Sequence, residues 1–188
     1  MASIQREGIG PGTISAGSIT NVRVQPVIDD AGWRDARAII AEHVRWVTAA
    51  LGIGDMAAVQ PSLRDELADL TTFYTPPRGR LLLAWLDGEV AGSVGVAVTA
   101  ERTAEMKRLY VRPAARGHSL GELLVRAALR AAGDLGCHTL WLSTMPGAMD
   151  TAIALYRRLG FRDVPPVAGL DIDDALYLAR PVPLPAGC

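Results

Sequence analysis

Between a strand-like run that stops at Pro113 and a helix-like run that starts near Ser119 lies Arg116-Gly117-His118-Ser119-Leu120-Gly121. These are the residue types of an anion site. The first amides of a helix have no carbonyl of their own helix to bind, and the helix dipole adds positive potential there. Gly117 and Gly121 remove side chains where a phosphate would have to approach the backbone, and Arg116 supplies a charge-assisted donor. The same spacing also serves a plain strand-to-helix connection with turn glycines. Two other phosphate loops are excluded: the sequence has no Gly-x-x-x-x-Gly-Lys-Ser/Thr, and no Gly-x-Gly-x-x-Gly after a strand.

The remaining chemistry-bearing residues are read mainly as structural. His43, His118 and His138 have no metal-ligand spacing among themselves or with the cysteines, so no metal is expected. His43 sits on an apolar helix face as a core or rim residue. Cys137 reads as a small buried hydrophobe, which argues against an acyl-cysteine route. Asp171, Asp173 and Asp174 form either a solvated hairpin or a site for a cationic amine. Trp33, Trp46, Trp85 and Trp141 read as core or pocket wall, since no basic stripe accompanies them.

A chain of 188 residues is the size of one ordinary domain and can bury a sizeable core. Its 49% apolar and 21% charged residues are those of a globular protein. A net charge of −1 gives no reason to expect nucleic acid or an anionic membrane as partner, so any anion must be held by local geometry. Cys137 and Cys188 read as free thiols of a reducing compartment. Met1–Thr20 has glycines but no apolar core of a signal peptide, and Leu81–Leu86 is too short to span a bilayer. The expected location is the cytoplasm.

The elements that must position the turn follow from periodicity. Residues 1–19 are expected to be a flexible tail, with one domain over 20–188. Ile19–Val27 alternates as a strand, and Asp29 or Asp30 caps a helix carrying Trp33, Ala36, Ile39, Ile40, His43 and Val47 on one face. Ser62 with Asp65 resembles a capping box for a helix over Leu63–Leu70. Arg80–Leu86 and Val90–Val98 flank the hairpin signal Asp87-Gly88, and Thr103–Val111 forms a third strand. A helix over Ser119–Leu135, a strand over His138–Thr144, a helix over Met149–Leu159 and short strands at Phe161–Val164 and Ala175–Leu178 complete a mixed α/β order.

Three segments in order resemble the GNAT superfamily of acetyl-CoA-dependent N-acetyltransferases. The turn Arg116–Gly121 is similar to the family's Arg/Gln-x-x-Gly-x-Gly/Ala pattern. Ala104–Pro113 resembles its fourth strand, and Ala152–Phe161 its last conserved helix and turn. Ser119 stands where the middle glycine is usual, and Met149 where many members have asparagine. The tract Met145-Pro146-x-x-Met149 with Pro165-Pro166 resembles a bacterial subgroup lacking that asparagine.

The resemblance implies a mostly antiparallel central sheet, flanked by helices, whose middle strands splay at a bulge near Leu109–Val111 to admit the pantetheine arm. It implies acetyl-CoA as acyl donor, with Leu109, Tyr110, Val111, Arg116, Gly117, His118, Ser119, Leu120 and Gly121 as cofactor-binding residues. Backbone N–H groups around Leu109–Val111 would serve the oxyanion. Glu105 is the implied base that deprotonates the amine; its competing role is a solvated glutamate or a partner for Lys107 or Arg108. Tyr156 is the implied acid for the departing thiolate, against a core tyrosine on an amphipathic helix. Ser119 is either an N-cap or a pyrophosphate ligand.

The acceptor is expected to be a small-molecule amine that attacks directly in a ternary complex. It would enter between the N-terminal helices and the closing strands, past Tyr74, Trp85 and the 165–175 loop. The protein would be a monomer or homodimer. A non-catalytic acyl-CoA-binding module and a peptide N-terminal acetyltransferase are the alternatives.

Overall fold

The computed structural model describes residues 21–55, 62–166 and 174–183. The N-terminal tail, the Ser62 side chain of the capping box, Asp171, Asp173, most of the 165–175 loop and Cys188 lie outside the described structure.

Apolar alternation forms β1 (Val22–Pro26), and Asp29 then opens α1 (Asp30–Leu51) by accepting the Gly32 amide at 2.8 Å. Gly52 ends α1 in the left-handed region, φ 65°. The single helix expected over Leu63–Leu70 is two short ones, α2 (Ser62–Ala68) and α3 (Leu70–Tyr74). Asp69 causes the break. Its carboxylate accepts the amides of Thr71 and Thr72 and also takes both hydroxyls, which holds its pKa down at about 2.

β2 (Gly79–Leu86), β3 (Glu89–Ala100) and β4 (Thr103–Val111) form the expected meander. A 3₁₀ turn at Pro113–Ala115 leads to α4 (Leu120–Asp134), then β5 (Thr139–Thr144), α5 (Asp150–Arg158), β6 (Arg162–Asp163) and β7 (Leu176–Pro181). The sheet runs β1-β2-β3-β4-β5-β7-β6, and every neighbouring pair is antiparallel except β4–β5. That parallel pair holds only from Thr103↔Thr139 to Glu105↔Trp141. Beyond Glu105 the two strands part.

Both faces of the sheet are covered. Leu82, Val94, Met106 and Leu140 pack with Leu124 and Ala128 of α4, while Leu81 and Leu83 pack with Ile39 and Ile40 of α1 and Leu70 of α3. Double burial explains why Leu81–Leu86 reads as an unbroken apolar run.

The register Ser93↔Tyr110 and Gly95↔Lys107 sets Arg108 and Leu109 together opposite Val94. The extra residue therefore lies at the start of the expected bulge, with Arg108 in the left-handed region at φ 56°. Because of it, Lys107 and Arg108 both reach Glu66 on the α1–α2 side, while Met106, Leu109 and Val111 face the α4 core.

Candidate active site

α4 begins where β4 and β5 have separated, and a cavity of about 570 Å³ lies there. Eight of the nine cofactor-binding residues read from sequence line it: Leu109, Tyr110, Val111, Arg116, Gly117, Ser119, Leu120 and Gly121. His118 does not; its Nδ1 lies 3.3 Å from the Ala115 carbonyl oxygen. Met149 lines the opposite wall with Ala152 and Leu155 of α5.

The turn has the features of an anion cradle. The first amide to close a helical bond is that of Leu123, on the Ser119 carbonyl at 3.1 Å, which leaves Leu120, Gly121 and Glu122 without an intrahelical acceptor. Gly117 has φ 88° and open space where a Cβ would stand. Gly121 serves packing as well, since an added Cβ would come within 3.3 Å of Leu155. Ser119 does not cap the helix through its side chain. It adopts φ 57°, the left-handed conformation that a glycine takes at no steric cost, so the middle position of the turn demands a backbone shape.

Arg116 donates from Nε to the Val111 carbonyl at 3.4 Å, and its guanidinium lies 5.6 Å from the centre of the Trp46 ring. Trp46 also lines the cavity, the pocket-wall half of its core-or-pocket-wall reading. Glu122 is the one acid among the lining residues. Arg126 and Arg158 bind it at 2.9 and 3.2 Å and hold its carboxyl below the usual range. Arginine outweighs carboxylate around the turn, which suits a pyrophosphate.

Glu105 and Tyr156 do not line this cavity. Tyr156 belongs to the α4-side core, with its ring 5.8 Å from that of Phe161. Burial pushes its pKa well above the ordinary tyrosine value, and its hydroxyl has no hydrogen-bond partner among the described residues. Glu105 alternates with Ala104 and Met106 and so faces the other side of the sheet. It is 7% exposed, and burial pushes its pKa up, opposed by Lys107 and Arg108. Lys107 Nζ lies 3.3 Å from Oε2 of Glu105, and no other polar partner of Glu105 occurs among the described residues.

Tyr74 and Trp85, expected on the acceptor wall, do other work. Tyr74 is fully buried and donates its hydroxyl to Glu66 Oε1 at 2.6 Å. Trp85 lies under the Arg23 guanidinium at 4.6 Å. His43 stacks on Tyr110 at 5.2 Å and beside Trp46 at 6.5 Å. Its Nδ1 is buried with no partner among the described residues, and burial lowers its pKa to about 4. Among the described residues no three His, Cys, Asp or Glu side chains group as metal ligands, and no helix is long and apolar enough to cross a membrane.

A sheet opened between a parallel strand pair, with an arginine-flanked helix N-terminus at the opening, combines a slot between strands with an anion cradle. Residues 48–161 match the Acetyltransferase (GNAT) family, and the chain belongs to it. It is 36% identical over 116 residues to Uncharacterized N-acetyltransferase C1271.07c of Schizosaccharomyces pombe, covering 61% of this chain and 71% of that protein. It is 34% identical to the IAA acetyltransferase of Azospirillum brasilense, over 69% of this chain and 83% of that one. PaiA N-acetyltransferase of Thermoplasma acidophilum, solved in complex with coenzyme A, shares the fold. That structure has a TM-score of 0.65 at 16% identity, over 86% of this chain and 99% of that one. The protein is thus an acetyltransferase that uses acetyl-CoA.

Proposed function

We propose that this enzyme acetylates the amine of a small molecule by direct attack in a ternary complex, with Glu105 as base and Tyr156 as acid. The observation that carries the reading is their placement. Glu105 and Tyr156 lie on opposite faces of the sheet, and the β4–β5 ladder ends at Glu105. An amine deprotonated on one face can attack a thioester lying in the opening, while the sulfur leaves toward the other.

Acetyl-CoA supplies the activated acyl group when bound. The edge of β4 beyond Glu105 has no ladder partner in β5, so its main-chain groups are available to pair with the pantetheine amides and to face the acyl oxygen. The amides at the start of α4, with Arg116, would hold the pyrophosphate. Among the described residues only Lys107 contacts the Glu105 carboxylate, through Oε2, which leaves Oε1 to take the ammonium proton, and Tyr156 is the proton donor for the thiolate. On this reading the domain begins near residue 20, requires no metal, and works in the cytoplasm as a monomer or homodimer.

Thiol release from acetyl-CoA, measured against a panel of small amines and short peptides, tests this. Turnover of a small amine that is lost in Glu105→Gln at neutral pH and partly regained at high pH is the expected result. Turnover confined to peptides would overturn the small-molecule assignment. Equal rates in Glu105→Gln and wild type would overturn the base assignment.

A further inference from the structure

The α1–α2 side of the sheet holds a buried cluster of charges that cofactor binding does not use. Its centre is Glu66, which is fully buried. Arg108 donates to it from Nε at 2.7 Å and from Nη2 at 2.8 Å, and Tyr74 donates from its hydroxyl at 2.6 Å. Three bonds from two elements leave this carboxylate little freedom. Lys107 then stands between two carboxylates, 3.4 Å from Glu66 Oε2 and 3.3 Å from Glu105 Oε2.

The bulge makes this arrangement possible. In a regular strand Arg108 would point to the opposite face from Lys107. Its left-handed conformation instead keeps both cations on one side. An ammonium carries three donors on a flexible stem and cannot fix a partner unless something fixes the ammonium. Glu66 is that anchor.

We infer that Lys107, anchored by Glu66, is a positioning residue that holds Glu105 ionised and, by engaging Oε2, aims Oε1 at the acceptor amine. This rests on the reading of Glu105 as the base. A buried carboxyl tends to stay protonated, and a protonated Glu105 cannot accept a proton. The charged groups facing Glu105 are Lys107 and Arg108 from β4 and Glu66 from α2. Tyr74 of α3 and His43 of α1 border the same cluster, and of all these only Lys107 contacts the Glu105 carboxylate. Arg108 is committed to Glu66, so it cannot take over.

Difference infrared titration, subtracting Glu105→Gln from wild type, reads the protonation of Glu105 with no acceptor present. In a Lys107→Met background the Glu105 midpoint should move up by about one to three pH units, and Lys107→Arg should restore most of that shift. The acid limb of kcat/KM for an acetylated amine should move with it, while KM for acetyl-CoA stays within a few-fold. Lys107→Gln, which keeps a donor between the two carboxylates, replaces the methionine variant if that one does not fold, with the same direction expected. A Glu105 midpoint that stays put in a folded variant overturns the positioning role alone. A midpoint that moves while the kinetic limb stays overturns the base assignment, and the positioning role with it.

Discussion

Glu66 and Arg108, 42 residues apart, meet in a two-point bond of 2.7 and 2.8 Å between buried side chains. Helix α2 is thereby tied to the bulge that opens the sheet. Removing the Glu66 charge leaves the buried Arg108 guanidinium without its two-point carboxylate partner. Glu66→Gln should therefore cost about 3–5 kcal/mol of unfolding free energy, measured by urea titration. A loss below about 1 kcal/mol would mean that the pair adds little to holding the bulge in place.

Gly95 leaves room for the ring of Tyr74, whose Cε1 lies 2.5 Å from where a Cβ would stand. The ring cannot retreat freely, because its hydroxyl is bonded to Glu66. Gly95→Ala is expected to destabilise by about 1–3 kcal/mol through overpacking. Gly95→Ala in a Tyr74→Leu background should cost much less, and an equal cost in both backgrounds would show that the ring is not the obstacle.

Ser119 separates backbone shape from capping. It has no side-chain cap to lose and sits in the left-handed region, so Ser119→Gly should stabilise the protein by about 1 kcal/mol. Its CoA affinity should stay within a few-fold of wild type. Aspartate tolerates the same conformation but places a negative charge at the anion cradle. Calorimetric titration should show CoA affinity lowered about tenfold or more, on the order of 1.4 kcal/mol, in Ser119→Asp. Unchanged affinity in the aspartate variant would move the pyrophosphate away from this turn.

Tyr156→Phe keeps the ring against Phe161 and removes only the phenol. Turnover should fall roughly ten- to a thousandfold with CoA affinity nearly unchanged. A wild-type rate on a good acceptor would return Tyr156 to the core.

His43 makes stability depend on pH. Its folded pKa, about 4, lies below the ordinary 6.5, so between these values the unfolded chain binds the proton first. This contribution to stability is complete above about pH 6.5 and is lost as pH falls through about 4. The full loss is about 3 kcal/mol. Denaturation midpoints at several pH values should show wild type declining across that window more steeply than His43→Phe. Parallel curves would mean that His43 is not held neutral.

Much of the architecture was legible because local rules wrote it. The Asp29 cap, the Asp87-Gly88 hairpin and the β4 limits at Thr103 and Val111 follow from short-range stereochemistry and apolar periodicity. The turn proposed to hold the pyrophosphate was legible as a turn for the same reason: its glycines, arginine and helix start are consecutive residues. The break at Asp69 was equally local, but the capping-box reading of Ser62 and Asp65 carried one helix through it.

Three features required the tertiary structure. Leu109 sits beside Arg108 opposite one residue only because of the register with β3, and periodicity within a strand carries no record of its partner's register. Trp46 and His43 share an apolar helix face with core residues, so nothing in α1 alone says that one lines the cavity while the other stacks beneath it. Glu105 carried two competing readings, base or ion-pair partner. The fold places it against Lys107, with Oε1 unbonded among the described residues, an arrangement that serves both. The sequence by itself determined most of the elements and the glycine turn before α4, because those depend on neighbours along the chain. Which charges meet in the interior was decided only by packing, which brings Glu66 to a bulge that its own helix cannot foresee.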